Sequence, residues 1–316
     1  LIIETKRQIM SSIIMKLSIA AMIGSSLFSQ TQAYDNRDYI SKLNQNSQNG
    51  VSYQENGFIN HTQAEFDQFY KGLNTASPYR ETNCATFDVN PSDYSSPPES
   101  WDWRKRGVVT TVKNQGKCGS CWSFSAAGAL EGAWAISTGQ LFNFSEQQLM
   151  DCSRLYGNMA CNGGLMDKAF EYAIDNGMCK LEDVPYDAQS EFCTQTVKNC
   201  KKVAQFNKCF KIPANNERLL REAVYRSPVA VSIEADTKTF QFYNGGILDS
   251  TNCGTELDHG VLAVGYGEEG GKKYWIVKNS WGSDWGENGY VRIGRSDDED
   301  SEGVCGIAKD ASFVMV

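Results

Sequence analysis

Histidine, basic clusters and long apolar runs are all scarce in this sequence. Only two histidines, His61 and His259, occur among 316 residues. The 30 Lys and Arg residues are outnumbered by 38 Asp and Glu residues, which gives a net charge of −8. Without a field of clustered Lys and Arg to neutralise phosphates, a nucleic-acid partner is not expected. Beyond residue 28 no apolar run reaches the length of a bilayer-spanning helix, so a membrane helix is not expected there.

Cysteine, in contrast, is abundant. The chain carries eleven, and thiols in reducing compartments seldom accumulate without a metal to bind, so the number indicates an oxidising compartment. Because eleven is odd, at least one thiol stays unpaired or pairs with another chain. That thiol is a candidate functional group.

The first hundred residues divide into three parts. Met15-Lys16 opens an apolar run from Leu17 to Phe28, and small residues follow at 31–33, a pattern typical of a signal peptide over residues 15–33. Residues 1–14 precede that methionine and are interpreted as an upstream extension. Residues 34–96 are rich in Asn, Gln and Ser, contain one amphipathic piece at 64–70, and end in a Pro-rich stretch at 95–98 that predicts an exposed linker.

A denser domain is predicted over residues 97–316. Its first half is mainly helical in pattern, and its second half consists of short β-branched or aromatic runs, which indicates an α+β fold of two lobes, the second an antiparallel β lobe. A site is expected in the cleft between the lobes. In the first half, helices are predicted at 121–138, from Ser145 onward and at 167–175. In the β half, one helix is predicted at 216–224, and strands are predicted at 229–233, 261–266, 274–277 and 290–293.

The most informative local pattern is a C-x-x-C pair, Cys118 and Cys121, at the entry to a predicted helix. By spacing alone the pair fits a zinc half-site or a redox dithiol. A zinc site requires a second pair of ligands at matching spacing, whereas the later cysteines stand singly, and a redox dithiol expects a βαβ setting that the sequence does not show. A nucleophilic thiol remains, and no metal or cofactor is expected.

The residues around this pair, Gln115-Gly116-Lys117-Cys118-Gly119-Ser120-Cys121-Trp122, resemble the nucleophile motif of the papain-like cysteine peptidases, in which the second Cys is reactive. The similarity runs from about Pro97 to the C-terminus. It implies the two-lobed papain-like fold and a cathepsin L-like endopeptidase with some cathepsin H-like features. Three further motifs follow in the family's order: Cys161-Asn162-Gly163-Gly164, Leu257-Asp258-His259-Gly260 and Tyr274-Trp275-Ile276-Val277-Lys278-Asn279-Ser280-Trp281-Gly282.

The resemblance assigns a role to each catalytic position. Cys121 is the nucleophile and His259 the base, and the two are expected to rest as an ion pair because a helix N-terminus and an imidazolium both favour a thiolate. Asn279 orients the imidazole, and Trp281 shields that hydrogen bond from water. The Gln115 side-chain amide and the Cys121 backbone N–H are expected to donate to the oxyanion.

Substrate contacts are implied in the same way. Gly163 and Gly164 form the substrate-edge loop, and Asp258 belongs to the histidine motif. The pocket for the second residue on the acyl side of the cut bond has walls that include Leu165, Met166, Leu257 and Gly260, and its floor lies five residues after Cys305, at Asp310. Apolar walls and an acidic floor predict that Leu is preferred and Arg tolerated, unless Asp310 turns to solvent, an alternative that the sequence leaves open.

The resemblance also pairs most of the cysteines. It implies the disulfides Cys118 with Cys161, Cys152 with Cys193, and Cys253 with Cys305, and an extra bridge of some protozoan relatives matches Cys179 with Cys200. Cys121 stays free as the nucleophile. The remaining two, Cys84 and Cys209, pair only if the N-terminal segment stays attached, and the sequence does not decide this.

Residues 34–96 resemble the back half of a cathepsin L-type propeptide, which predicts that the chain inhibits itself until this part is removed, in a step favoured by acid. Ile40 to Asn44 is similar to the end of the long propeptide helix, and Asn56-Gly57-Phe58-Ile59-Asn60 stands at an N-x-F-x-D position with Asn in place of the acid. Expected partners are polypeptide substrates, this propeptide and cystatin-type inhibitors. We expect a monomer on the secretory route, bound for the lysosome, a digestive vacuole or the outside of the cell.

Two other functions stay open. Glu81-Thr82-Asn83-Cys84-Ala85-Thr86 resembles the propeptide fragment that cathepsin H retains to act as an aminopeptidase, although the tether's partner position in that relative holds Asp310 here. The other alternative is an inactive secreted binding protein on the same fold, because fold alone does not prove activity. Such a protein is expected to lack the nucleophile, the base or the orienting residue, and all three are present.

Overall fold

A computed structural model describes residues 32, 35–47, 50–74, 81–89 and 97–316. The interpreted extension 1–14, the signal peptide 15–33 apart from residue 32, and residues 95 and 96 of the linker lie outside these ranges. Among the described residues, no helix has both the length and the apolar character needed to cross a membrane.

The first lobe is built around a long buried helix. It spans Cys121–Thr138, the bounds predicted from the sequence, and ends at Gly139, whose φ of 75° provides the left-handed conformation that closes a helix. Most of its side chains are buried, because it packs between the other helices of this lobe and the sheet of the second. The described α-helices are α1 (35–46), α2 (Gln63–Phe69), α3 (Cys121–Thr138), α4 (Glu146–Cys152), α5 (Met166–Asn176), α6 (Cys193–Thr196), α7 (Glu217–Arg226) and α8 (Lys238–Gln241).

The second lobe contains a mostly antiparallel sheet. The described strands are β1 (Ser52–Tyr53), β2 (Ala85–Thr86), β3 (Trp101–Asp102), β4 (Met178–Cys179), β5 (Lys202–Ala204), β6 (Lys208–Ile212), β7 (Val229–Ile233), β8 (Tyr243–Gly245), β9 (Ile247–Leu248), β10 (His259–Glu269), β11 (Lys272–Lys278), β12 (Tyr290–Gly294) and β13 (Ala311–Met315). The main sheet runs β2-β6-β13-β7-β10-β11-β12-β9, and β3 also pairs with β10. Gly260 on β10 lies opposite Ser232 on β7, a register that matters for the site.

The fold confirms the predicted α+β architecture of two lobes. All four predicted strands are present, as β7, β10, β11 and β12. The prediction of a single helix in the β half is wrong, because α8 also occurs there. This helix has only four residues and is capped at its N-terminus by the Thr237 side chain, which accepts from the Phe240 N–H. It is too short to show a helical period.

The described residues before position 90, here called the N-terminal segment, wrap around the domain. β1 pairs with β8, and α2 begins at a capping box formed by Thr62 and Glu65. Residues 71–74 then pass the start of α3. Further along, β2 adds to the main sheet beside β6 in parallel.

Candidate active site

Cys121 occupies the first position of α3 and is fully buried. Its Sγ accepts a hydrogen bond of 3.3 Å from the backbone N–H of Gly260. The helix N-terminus and this N–H both favour negative charge on the sulfur. The other ten cysteines form five disulfides, so Cys121 is the free thiol of the chain.

His259, the first residue of β10, has one ring nitrogen fixed. Its Nε2 lies 2.8 Å from Oδ1 of Asn279, and the same oxygen accepts from the Ser280 backbone N–H at 2.8 Å. Because that backbone N–H can only donate, the oxygen of the Asn279 amide must face it, and Nε2 must carry the hydrogen. Nδ1 has no hydrogen-bond partner among the described residues, so it is the nitrogen left to take a proton.

Trp281 and Gln115 complete the surroundings of this pair. The Trp281 ring stacks on the His259 ring, with centroids 4.7 Å apart at an interplanar angle of 30°. The Gln115 Oε1 accepts from Ser280 Oγ at 2.7 Å, and its Nε2 donates to the Cys118 carbonyl at 2.9 Å. Both amide ends of Gln115 are therefore anchored beside the start of α3.

Burial changes the charge states expected at the site. It raises the pKa of the Cys121 thiol to about 12, against the opposing effect of the Gly260 N–H, and it lowers the pKa of His259 to about 4. Both directions favour the neutral thiol and imidazole. The ion pair expected from the resemblance is therefore opposed while the site is covered.

The cover is the N-terminal segment itself. Gly72 N–H donates to the Asp258 carbonyl at 3.1 Å, Gly164 N–H donates to the Gly72 carbonyl at 3.0 Å, and Asn74 N–H donates to the Gly164 carbonyl at 3.1 Å. Leu73 and Gly164 form a parallel bridge. The segment thus lies along the substrate-edge loop and is joined to it by regular backbone hydrogen bonds.

An aromatic cluster anchors the segment next to the candidate catalytic residues. The rings of Phe58 and Phe66 meet Trp281 edge-on, at centroid distances of 5.3 and 5.2 Å. The Trp281 indole N–H donates to the Tyr70 carbonyl at 3.1 Å. His61 lies against Phe58 and Tyr70, and burial lowers its pKa from the usual 6.5.

Of the expected pocket walls, Met166 and Gly260 are in contact: a Cβ built on Gly260 would lie 3.1 Å from the Met166 sulfur. Leu165 directly precedes Met166 in sequence, and Leu257 packs against Gly306. Gly163, also in the substrate-edge loop, has a φ of 105° and faces Gly72.

Asp258 pairs with the N-terminal segment. Lys71 lies 3.2 Å from its carboxylate, 3.1 Å from Asp67 and 3.6 Å from Asp236. Burial raises the pKa of Asp258 to about 7, in spite of this cation. Lys71 was not singled out from the sequence, because no local pattern shows which carboxylates an isolated lysine meets.

The Asp310 side chain is mostly buried and is paired through both of its carboxylate oxygens. Its Oδ2 accepts from Ser232 Oγ at 2.9 Å, and its Oδ1 accepts from Lys211 Nζ. Ser232 is the residue opposite Gly260 in the β7–β10 register, which links Asp310 to the pocket walls. Lys211 was missed, since it lies 99 residues from Asp310 in sequence.

Cys84, whose partner the sequence leaves open, is disulfide-bonded in the structure. The structure joins Cys84 to Cys209, which ties the N-terminal segment covalently to β6. Nearby, the Glu171 carboxylate accepts from the Asn83 N–H at 2.9 Å and from Thr82 Oγ1 at 3.0 Å. The four remaining bridges, Cys118–Cys161, Cys152–Cys193, Cys179–Cys200 and Cys253–Cys305, are those that the resemblance implies.

A free thiol and an imidazole hydrogen-bonded to an amide, under a covering N-terminal segment, are the features of one class of protein, the cysteine proteases in proform. The chain belongs to the papain family: residues 97–315 match the family model described as Papain family cysteine protease. It is 44% identical over 280 residues to Cysteine protease XCP2 of Arabidopsis thaliana, covering 88% of this chain and 78% of that protein. It is 45% identical over 285 residues to the KDEL-tailed cysteine endopeptidase CEP2 of the same plant, covering 88% of this chain and 74% of that one.

Among solved structures, the proform of the Amb a 11 cysteine protease, a ragweed pollen allergen, superimposes with a TM-score of 0.83 at 38% identity. The match covers 92% of this chain and 87% of that one, so it includes part of the N-terminal segment as well as the peptidase domain. The chain is therefore a papain-like cysteine protease with the architecture of a zymogen.

Proposed function

We propose that the chain is the zymogen of a secreted cysteine endopeptidase, with residues 34–96 as its propeptide and residues 97–316 as its mature domain. The observation that carries the proposal is the orientation of His259: Asn279 holds the Nε2 side, and Nδ1 is left for the proton of Cys121. A histidine fixed in this way serves as base and then as acid.

In the proposed reaction, Cys121 Sγ bonds to the substrate carbonyl carbon while its proton passes to His259 Nδ1. The Gln115 amide and the Cys121 N–H stabilise the oxyanion. The C–N bond then breaks as His259 protonates the leaving amine, which gives a thioester. Water attacks the carbonyl carbon of that thioester while one of its protons passes to His259. The C–S bond then breaks, the carboxylic acid product leaves, and the proton passes from His259 to the Cys121 thiolate.

The N-terminal segment is the proposed inhibitor. It pairs with the substrate-edge loop at Gly164 and covers Trp281 with aromatic rings. A substrate peptide therefore cannot bind along that loop while the segment is there. Acid is proposed to favour its release. The KDEL tail named for one relative is an endoplasmic reticulum signal of that protein, which supports the secretory route for this chain.

A second function is favoured by one observation. Because Cys84 and Cys209 are bonded, residues around 81–89 stay on the domain after a cut before Pro97, as a retained fragment does in a cathepsin H-like aminopeptidase. Polypeptide substrates and cystatin-type inhibitors are the proposed partners of either enzyme, and each is proposed to act as a monomer.

The test combines labelling with activity. Acid-activated protein is treated with an epoxide or iodoacetamide probe, and labelling of Cys121 is measured by mass spectrometry. Hydrolysis of peptides with blocked amino termini supports the endopeptidase, whereas hydrolysis confined to free amino termini supports the aminopeptidase. If Cys121 is not labelled and neither peptide is cut, the inactive binding protein is the better description.

A further inference from the structure

We propose that Lys211 determines specificity by occupying the acidic floor of the pocket that receives the second residue on the acyl side of the cut bond. The inference rests on the proposed peptidase function and refines it. Lys211 makes this pocket select apolar side chains and reject Arg, contrary to what the acidic floor alone predicts.

The floor is connected to the cleft by a short chain of contacts. Gly260, next to the base, touches Met166 and lies opposite Ser232 in the sheet. The Ser232 N–H donates to the Asp310 carbonyl at 2.9 Å, and the Ser232 hydroxyl donates to the Asp310 carboxylate, also at 2.9 Å. Asp310 is thus held in place from the pocket side.

Lys211 reaches the same carboxylate from β6. Its Nζ bonds to Asp310 Oδ1 and lies 3.5 Å from Oδ2 of Asp167, the residue after Met166 at the start of α5. Only 17% of the Asp310 side chain and 33% of the Lys211 side chain are exposed. Burial works against the ammonium, but the two carboxylates outweigh that effect and raise the pKa of Lys211, so it is charged at working pH.

This arrangement places a cation at the floor already, ahead of any basic side chain of a substrate. Both oxygens of Asp310 have donors, and a guanidinium at the floor would have to displace Lys211 or lie beside another positive charge. Asp167 does not replace Asp310 as an acceptor, because its Oδ1 accepts from the Lys168 N–H and its Oδ2 faces Lys211. An apolar side chain meets no such opposition, and Leu73 of the N-terminal segment already packs against the apolar cluster that includes Met166.

The experiment compares kcat/KM for two blocked peptides that differ only in Leu or Arg at this position, at pH 6.5. Lys211→Met removes the charge and keeps an apolar stem. We expect the Arg-to-Leu ratio of kcat/KM to rise by about tenfold or more, the effect of one hydrogen bond to a charged group. Lys211→Arg, which retains the cation, is expected to leave the ratio near that of wild type.

In the double variant Lys211→Met with Asp310→Asn, the Arg-to-Leu ratio is expected to fall back toward that of wild type, because the carboxylate that would bind Arg is absent. An unchanged ratio in Lys211→Met, with Leu cleavage intact, overturns the role of Lys211 while leaving the peptidase function standing. Lack of cleavage of both peptides by wild type instead overturns the function itself. If Lys211→Met fails to fold, Lys211→Gln provides the same comparison, and an unchanged ratio there overturns the inference equally.

Discussion

Gly72 packs against Gly119 so closely that a side chain at residue 72 would collide with the Gly119 carbonyl group. Two backbones thus cross at positions without side chains, two residues before Cys121, the proposed nucleophile. The approach brings the N-terminal segment within hydrogen-bonding distance of both sides of the cleft, at Asp258 and Gly164.

Replacing Gly72 by Ala is therefore expected to weaken the cover. Overpacking of this kind costs about 1–3 kcal/mol, so Cys121 in the uncut precursor should react with iodoacetamide roughly tenfold faster or more at pH 7. Gly57 in the same segment has open space around its Cα and is the matched control, expected to tolerate Ala. Equal labelling rates for the two variants would contradict the close crossing.

The catalytic assignments predict a graded series in the activated enzyme. Cys121→Ala is expected to abolish peptide hydrolysis without unfolding, and His259→Ala to be nearly as severe. Asn279→Ala removes an orienting hydrogen bond and should lower kcat/KM roughly ten- to hundredfold. Initial rates and circular dichroism test the series; an Asn279→Ala enzyme that is folded yet as inactive as Cys121→Ala would show that the residue does more than orient.

The acid dependence of release should depend on His61. Burial, with a smaller contribution from Lys117, lowers its pKa below 6.5, whereas Glu65 opposes the shift. The released segment therefore binds this proton more tightly than the bound one, so release becomes more favourable as pH falls below 6.5. The buried His259, with its pKa near 4, changes in the same direction.

Asp258 acts in the opposite sense. Its pKa is raised to about 7 in the covered site, so a return to the ordinary range on exposure means that acid stabilises the cover through this carboxyl. Of these three groups, His61 and His259 are expected to favour release in acid, and the Asp258 carboxyl to oppose it.

His61→Phe, which keeps the aromatic packing and cannot titrate, provides the measurement. The iodoacetamide labelling rate of the precursor, divided by that of the mature enzyme at the same pH, is followed from pH 7 to 5. We expect the slope of its logarithm against pH to be shallower by up to about one proton in the variant. An unchanged slope would remove His61 from the acid response, whatever the change in overall affinity.

The Cys84–Cys209 bond predicts what remains after maturation. A cut before Pro97 should leave the peptide that contains Cys84 attached to the mature domain, so the mass should fall on reduction by that of the retained peptide. Mass spectrometry with and without reductant shows the difference. A Cys84→Ser, Cys209→Ser double variant should lose the peptide without reductant; identical masses of the wild type before and after reduction would count against retention.

The sequence predicts elements better than it predicts partners. The bounds of α3 and β7 follow from local cues, an apolar run closed by Gly139 and a β-branched stretch, because these cues act within a few residues. β6 and β13 were not predicted, since their stability comes from pairing with each other, about 100 residues apart. The candidate catalytic residues lie in recognisable motifs. In contrast, Lys211 and Lys71 depend on which carboxylates the fold brings to them, and charge spacing in the sequence carries no such information.

The disulfide between the N-terminal segment and β6 also limits how far a single cut in the linker can relieve inhibition. A severed inhibitor that diffuses away is diluted, but one held by Cys84 remains at an effective concentration of roughly millimolar beside its own cleft. It can therefore rebind far faster than a competing peptide arrives from solution. Cleavage in the linker is therefore expected to lower inhibition only as far as that local concentration allows. Full activity is expected to require a second event, either another cut upstream of Cys84 or reduction of the bond.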